Sequence, residues 1–322
     1  MANKMSIKKR RLLITGSGGF ILGNFIRQVF YHKKPYIISS LDRVRETHLT
    51  QNIYVNSDHS FYIADVLDSH ILHIICEKEK PDIIIHGADE SCVSENNIPF
   101  ITNNIIGTQN IINECIKIGA KLILFSTDKV YGSLDNEKDS SWTEESFINP
   151  KNIYAASKVS AELLTKTAGI TNDLKYNIIR LCNNYGPWQT SEKFIPKIIK
   201  SIFDENEISI YGQGNQVRDW IHVYDTCSAL FNIIDNGIDG ALYNITAKQE
   251  FTNLEVAQIV CNAIGRGHNL IKHISDITGN DFRFSMNNDK IKSIDWIPQY
   301  KFRDGITQVC QWYVTNRYVL KM

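Results

Sequence analysis

This chain of 322 residues has no charge bias: 35 basic and 35 acidic side chains give a formal net charge of zero. No whole-molecule field therefore draws it to nucleic acid or to an anionic membrane surface. Its seven cysteines are scattered, at Cys76, Cys92, Cys115, Cys182, Cys227, Cys261 and Cys310, and no two form a CxxC pair. With no secretory leader read at the start, their odd number points to free thiols in a reducing cytoplasm. No apolar run approaches the roughly 18 residues of a membrane span. His70 and His73 have no further ligand residues close in sequence, so no metal site is expected. The basic start Lys8-Lys9-Arg10-Arg11 runs straight into Leu12-Leu13-Ile14 and reads as the solvated end of a strand, not as a targeting patch. Fixed-period repeats and low-complexity linkers are also missing, which excludes a solenoid.

What the chain does have is apolar content, 43% hydrophobic against 22% charged, enough for a large core and for two lobes. Short apolar runs alternate with helix-length amphipathic stretches through the first half: Leu12 to Ile14, Ile37 to Leu41, Phe61 to Ile63, Ile83 to His86, Leu122 to Phe125 and Asn177 to Leu181. This alternation predicts an α/β fold, a doubly wound parallel sheet of Rossmann type with helices on both faces. After Tyr185-Gly186-Pro187-Trp188 the rhythm shifts to short strands, turns and a few helices, as in a smaller, interleaved α+β lobe. The expected division is 1–184 with 219–246 for a cofactor-binding domain and 185–218 with 247–322 for a substrate domain. Ser133 to Ser146 reads as a loop.

The first strand runs into Thr15-Gly16-Ser17-Gly18-Gly19-Phe20-Ile21 and then a helix to about Phe30. Glycines at 16 and 19 allow a tight turn and bring backbone N–H groups close to a pyrophosphate at a helix N-terminus. Asp42, at the end of the next strand, suits both hydroxyls of an adenosine ribose and so favours NAD over a 2′-phosphate, a preference that Arg43 weakens without reversing. Asp65 is expected at a third strand end, near an adenine. Further along, Ser126-Thr127-Asp128-Lys129 closes an apolar run, and Tyr154 and Lys158 stand one helical turn apart, on one face. Together these groups suit the movement of protons and hydride.

The successive segments TGSGGFI, HGADESCVSEN, FITNNIIGT, STDKVYG, YAASK, NNYGPWQTSEKFIP, YGQGNQVRDWIHVYD, NLEV and WYVTN resemble, in order and over nearly the whole chain, the nucleotide-sugar 4,6-dehydratases. Within these the chain is most similar to the dTDP-glucose and UDP-glucose enzymes of the extended short-chain dehydrogenase/reductase superfamily. It departs from their pattern in places. Leu22 replaces the third glycine of the loop, with Gly23 one place late, so helix-to-strand packing should differ there. Cys92 and Glu95 replace a histidine and an arginine, Ile277 replaces an arginine, and Lys129 replaces a glutamate.

The resemblance implies NAD as cofactor, held by Gly16, Gly19, Phe20, Ile21, Asp42, Asp65, Val66, Ala88, Tyr154 and Lys158. It implies oxidation of a hexose at C4, loss of water across C5 and C6, and return of hydride to C6. Tyr154 would take the C4 hydroxyl proton as a phenolate; a free tyrosine ionises near pH 10, so the charge of Lys158 is needed beside it. Lys158 would also bind the nicotinamide ribose. Asp128 would give a proton to the leaving C6 hydroxyl, which requires a neutral carboxyl.

Lys129 leaves three readings open. In the first it serves, when neutral, as the base at C5, an Asp-Lys arrangement similar to that of CDP-glucose 4,6-dehydratases. In the second it pairs with Asp128 in a 4-epimerase or decarboxylase that never eliminates water, and in the third it marks an impaired enzyme. Among substrate contacts, Ser91 and Thr127 are implied beside the hexose, while Asn183, Lys193 and Arg218 carry donors suited to phosphate oxygens. Glu192 and Asn253 belong to the same implied set, although Glu192 and Lys193 also suit a solvated ion pair. The expected protein is a cytoplasmic homodimer acting on a nucleotide-diphosphate hexose, on a route to rhamnose or a related deoxysugar. Its rival from another class is a catalytically silent NAD-binding sensor.

Overall fold

The computed structural model describes residues 9–43, 59–91, 97–136, 139–276 and 281–321. Lys8, Cys92, Glu95 and Ile277 lie outside these residues. The chain forms two compact units, one of residues 1–126, 152–178 and 238–241, the other of 127–151, 179–237 and 242–322. The sequence-based division, drawn by cofactor and substrate, cuts the chain at other places.

The first unit carries β1 (Arg10–Thr15), α1 (Phe20–Tyr31), β2 (Tyr36–Asp42), β3 (His59–Ile63), α2 (Ser69–Glu79) and β4 (Ile83–His86). It continues with α3 (Ile98–Ile101), a π-helical turn over Thr102–Ile106, α4 (Gly107–Ile118), β5 (Lys121–Thr127), α5 (Ile153–Thr171) and the start of β6 (Tyr176–Leu181). The second unit carries β7 (Asn183–Tyr185), α6 (Phe194–Phe203), β8 (Ile208–Tyr211), β9 (Val217–His222), α7 (Val223–Asn236) and β10 (Leu242–Ile245). After these come β11 (Glu250–Thr252), α8 (Asn253–Ile264), β12 (Ile271–Ile274), α9 (Asp289–Lys292) and α10 (Phe302–Thr315).

The main sheet has the order β10-β6-β5-β4-β1-β2-β3, and the pairs β1–β2, β2–β3, β1–β4 and β4–β5 are parallel. This is the expected mostly parallel α/β sheet, and all six apolar runs fall on its strands. They do so because the strand interiors are covered on both faces: β4 is buried throughout and β5 is buried from Leu122 on. The second unit has its own core, where Ile195, Ile198, Ile199 and Ile202 of α6 meet Val256 and Val260 of α8 and Ile306, Val309 and Tyr313 of α10. Cys76, Cys115, Cys182, Cys227, Cys261 and Cys310 are free and buried. No helix among the described residues is long and apolar enough to cross a membrane.

The missing third glycine of the loop has a local explanation. Leu22 is buried in the first full turn of α1, and its Cδ1 lies 2.5 Å from where a Cβ on Gly87 would stand. The small residue needed for close packing has moved from the helix to the segment that follows β4. We predict that Gly87→Ala lowers the thermal unfolding midpoint by an overpacking cost of about 1–3 kcal/mol. Leu22→Ala in the same chain should recover part of that loss, and additive losses would rule out the exchange.

Candidate active site

At the end of β1 the chain turns through Gly16 with φ +71°. A Cβ there would stand 2.6 Å from the Ala88 nitrogen and 2.7 Å from the Gly87 carbonyl carbon, so only glycine fits. The nitrogens of Gly16 and Ser17 donate to the Leu41 carbonyl at 3.1 and 3.3 Å. Gly18 N donates to Asp42 Oδ2 at 2.8 Å, which ties the acid of β2 to the loop. Gly19 caps α1 without a side-chain bond, followed by Phe20 and Ile21 in its first turn. The N–H groups of Gly16 to Gly19 are thus bonded within the protein, and those of the first turn of α1, beside a cradle that any side chain would fill, suit a dinucleotide pyrophosphate.

Beyond the loop, Asp65 Oδ1 accepts from Leu67 N at 2.9 Å. Val66 is buried where α4 begins with a glycine: a Cβ on Gly107 would come within 2.7 Å of Val66 Cγ2. Arg43 forms an ion pair with Glu90 at 3.8 Å. Ala88 N donates to Thr15 Oγ1 at 3.3 Å. Behind it, Thr108 donates its hydroxyl hydrogen to Asn104 O at 2.6 Å and so accepts from His86 Nε2 at 3.1 Å. His86 Nδ1 in turn accepts from the Thr15 hydroxyl at 2.7 Å. Burial pushes the His86 imidazole down to about 3, so this ring is a neutral spacer that locks the ends of β1 and β4 to α4.

Helix α5 is capped by Asn152, whose Oδ1 accepts from Ala155 N at 2.8 Å. The cap sets the helical phase that puts Tyr154 and Lys158 on one face. Lys158 is 4% exposed. Both groups point to a residue that the sequence reading passed over: Asp89 Oδ2 accepts from Tyr154 Oη at 3.3 Å and from Lys158 Nζ at 3.2 Å. A second overlooked residue, Asn104, projects from the π-helical turn. Its Oδ1 accepts from Glu90 N at 2.7 Å, and its Nδ2 donates to Glu90 O at 3.0 Å and to Ser157 Oγ at 2.9 Å. The available signal was the pair Asn103-Asn104 inside an otherwise apolar-periodic helix, since extra-residue helical turns often serve to re-aim a functional side chain. In the same unit Ser126 Oγ donates to Glu162 Oε1 at 2.6 Å, and Ser91 is exposed.

The other predicted residues belong to the second unit. Asp128 is 2% exposed and accepts from Thr127 Oγ1 at 3.1 Å. Burial raises its carboxyl above the usual range, against smaller opposing effects of Lys129, the Thr127 bond and Arg218. Lys129 does not form the ion pair with Asp128 that one reading expected; no such bridge exists among the described residues. Its Nζ lies 5.2 Å from the centre of the Phe284 ring, and the Arg218 guanidinium lies 5.1 Å from the same ring. Arg218 also donates to the carbonyls of Val217, Asp281 and Phe282 at 2.8, 3.0 and 3.3 Å. Asn183 opens β7 opposite Trp220. Lys193 caps α6 next to exposed Glu192, and Asn253 opens α8 with its N donating to Gln216 O at 3.0 Å. The structure therefore groups Thr127, Asp128, Lys129 and Arg218 in one unit, and the loop glycines, Asp42, Ala88, Tyr154 and Lys158 in the other.

Residues 12–246 match the model of the NAD dependent epimerase/dehydratase family. The chain belongs to this family. Over 94% of its length it is 32% identical to 98% of a low-salt glycan biosynthesis protein of the archaeon Haloferax volcanii. The crystal structure of dTDP-glucose 4,6-dehydratase from Bacillus anthracis in complex with NAD is similar at a TM-score of 0.90 and 32% identity, covering 97% of this chain and 99% of that one. A UDP-glucose 4-epimerase of Thermotoga maritima, 22% identical over 95% of this chain and 99% of its own, shares the fold at a TM-score of 0.87.

Proposed function

We propose that this family member is an NAD-dependent nucleotide-glucose 4,6-dehydratase, acting on dTDP- or UDP-glucose to give the 4-keto-6-deoxy sugar. The observation that carries the reading is the buried Asp128, whose carboxyl is held toward its neutral form. Loss of water from C6 needs a proton donor besides Tyr154; inversion at C4 needs only the proton that Tyr154 takes and gives back. NAD, when bound, supplies the acceptor of the C4 hydride and later the donor to C6.

In this reading Tyr154, assisted by Lys158, takes the C4 hydroxyl proton. With a ketone at C4 the C5 proton becomes acidic, and Lys129 removes it. The C5 electron pair forms the C5–C6 double bond as the C6–O bond breaks, and Asp128 gives its proton to the departing oxygen, which leaves as water. A proton returned to C5 as hydride reaches C6 completes the product. Ser91 and Thr127 are assigned to the hexose, and Asn183, Glu192, Lys193, Arg218 and Asn253 to the nucleotide diphosphate. The cofactor domain is proposed as 1–184 with 219–246, and the nucleotide-sugar domain as 185–218 with 247–322. The rival reading, a 4-epimerase, retains the lysine in place of the family's glutamate at position 129 but not the Lys129–Asp128 ion pair. Deuterium placed at C5 separates the two, since only elimination exchanges it with solvent.

Asp42, bound to the glycine loop through Gly18 N, would face a 2′-phosphate with like charge. NAD is therefore expected to bind at least about tenfold more tightly than NADP, about 1.4 kcal/mol, in calorimetry at fixed salt. Equal affinities would remove Asp42 from the cofactor site.

We also propose a homodimer. Ile98, Ile101 and Ile106 along the α3–α4 segment and Ile153, Leu163 and Ile170 on α5 are exposed, more apolar surface than one helical pair normally leaves to water. Light scattering at micromolar concentration should give twice the mass of one chain. A single-chain mass would leave this face without a partner.

Lys129→Ala should lower dehydration by about 10²–10⁴-fold and stop solvent exchange at C5, while single-turnover nicotinamide reduction by the sugar stays measurable. Lys129→Glu should keep or raise dehydration and move its pH optimum lower, because a carboxylate is the base of lower intrinsic pKa. Full dehydration by Lys129→Ala would assign the C5 proton to another group. Dehydration by Lys129→Glu alone would mean that the lysine impairs the enzyme.

A further inference from the structure

The carboxylate of Asp89 stands against the acid/base pair, and no role proposed so far uses it. One oxygen, Oδ2, accepts from both Tyr154 Oη at 3.3 Å and Lys158 Nζ at 3.2 Å. The Asp89 side chain is 23% exposed and that of Lys158 is 5% exposed, so the contact is screened only in part. The loop is also braced on both sides of the contact. Asn104 binds both main-chain groups of Glu90, next to Asp89, and the same amide holds Ser157, which lies between Tyr154 and Lys158. Ser157 Oγ in turn donates to Tyr154 O at 2.7 Å. A single asparagine therefore fixes the distance between Asp89 and the two groups it touches.

We infer that Asp89 is a positioning residue that holds Tyr154 protonated and Lys158 engaged, and thereby raises the pH at which the pair can accept a proton. The inference rests on the proposed role of Tyr154 as the C4 base. Two effects act in the same direction. Ionising Tyr154 would place a phenolate beside a carboxylate and would also forfeit the hydrogen bond that its hydroxyl donates. The cation that would favour the phenolate is shared with the same carboxylate. Other groups around the pair do not offset this: Phe100 of α3 meets Tyr154 at 6.1 Å between ring centres and carries no charge. His86 of β4 is kept neutral by burial, and the Glu90 carboxylate is paired with Arg43 at 3.8 Å.

The test uses the full chain without substrate. Tyrosinate absorbance is followed against pH as the difference between the protein and its Tyr154→Phe variant, which isolates one of 14 tyrosines. The same difference is taken in Asp89→Asn, Asp89→Ala and Asp89→Glu backgrounds. The midpoint is expected to fall by about one to two pH units in Asp89→Asn and Asp89→Ala and to return in Asp89→Glu. An unchanged midpoint in whichever of the two neutral variants folds overturns the inference. Single-turnover nicotinamide reduction with NAD and dTDP- or UDP-glucose is then measured across pH, and its acidic limb should move by the same amount. A shifted midpoint with no C4 oxidation of either sugar would sink the proposed function and leave Asp89 in its role. Oxidation whose acidic limb and midpoint both ignore Asp89 would do the reverse.

Discussion

The parallel register of the central strands is the constraint on which the candidate site depends. Thr15 pairs with Leu41 on one side and with His86 on the other, and His86 pairs with Leu124. Parallel strands held in this register end together, so the residues at or just past their ends, Gly16, Asp42, Gly87 and Ser126, come to one edge of the sheet without any long-range search. The strand order turns at β1, with β2 on one side and β4 on the other. That turning point is where open α/β sheets leave a crevice for a ligand. The backbone clearance between Gly16 and Gly87-Ala88 is a direct result, since the loop after β1 must pass the end of β4 within van der Waals distance.

Polar groups at that edge are fixed in relays. His86 bridges Thr15 and Thr108 as a neutral ring, because burial keeps it neutral. Asn104 does the same for the next segment, joining the loop after β4 to α5. Its side chain reaches both partners because the helix carries an extra residue per turn over Thr102–Ile106. An uninterrupted α-helix would aim that position differently. The irregular turn is thus a working part of the site.

Asp128 and Asp89, one in each unit, have opposite environments. Asp128 is enclosed, and burial drives it toward the neutral acid that a proton donor needs. Asp89 is partly open and answers to a buried lysine. Burial in one unit and pairing in the other give two chemically identical groups different protonation tendencies.

Much of this was written in the chain. The six apolar runs, the glycine turn, the acid at the end of β2 and the Tyr154–Lys158 spacing are local patterns, and local periodicity and backbone sterics decide them. The replacement of a loop glycine by Leu22 was equally visible, but its remedy was not. Gly87 lies far along the sequence, and only packing brings it against the helix. The same holds for Asp89 and Asn104: each sits in a segment that could be named, yet its partners are set by how a loop, an irregular helical turn and α5 meet. The side chain of Lys129 likewise went to Phe284 instead of its neighbour Asp128. Sequence determined the elements and the residue types carried at their ends, because those follow from interactions a few residues apart. Tertiary structure decided which ionisable groups face each other, because burial and charge pairing depend on contacts that one dimension does not encode.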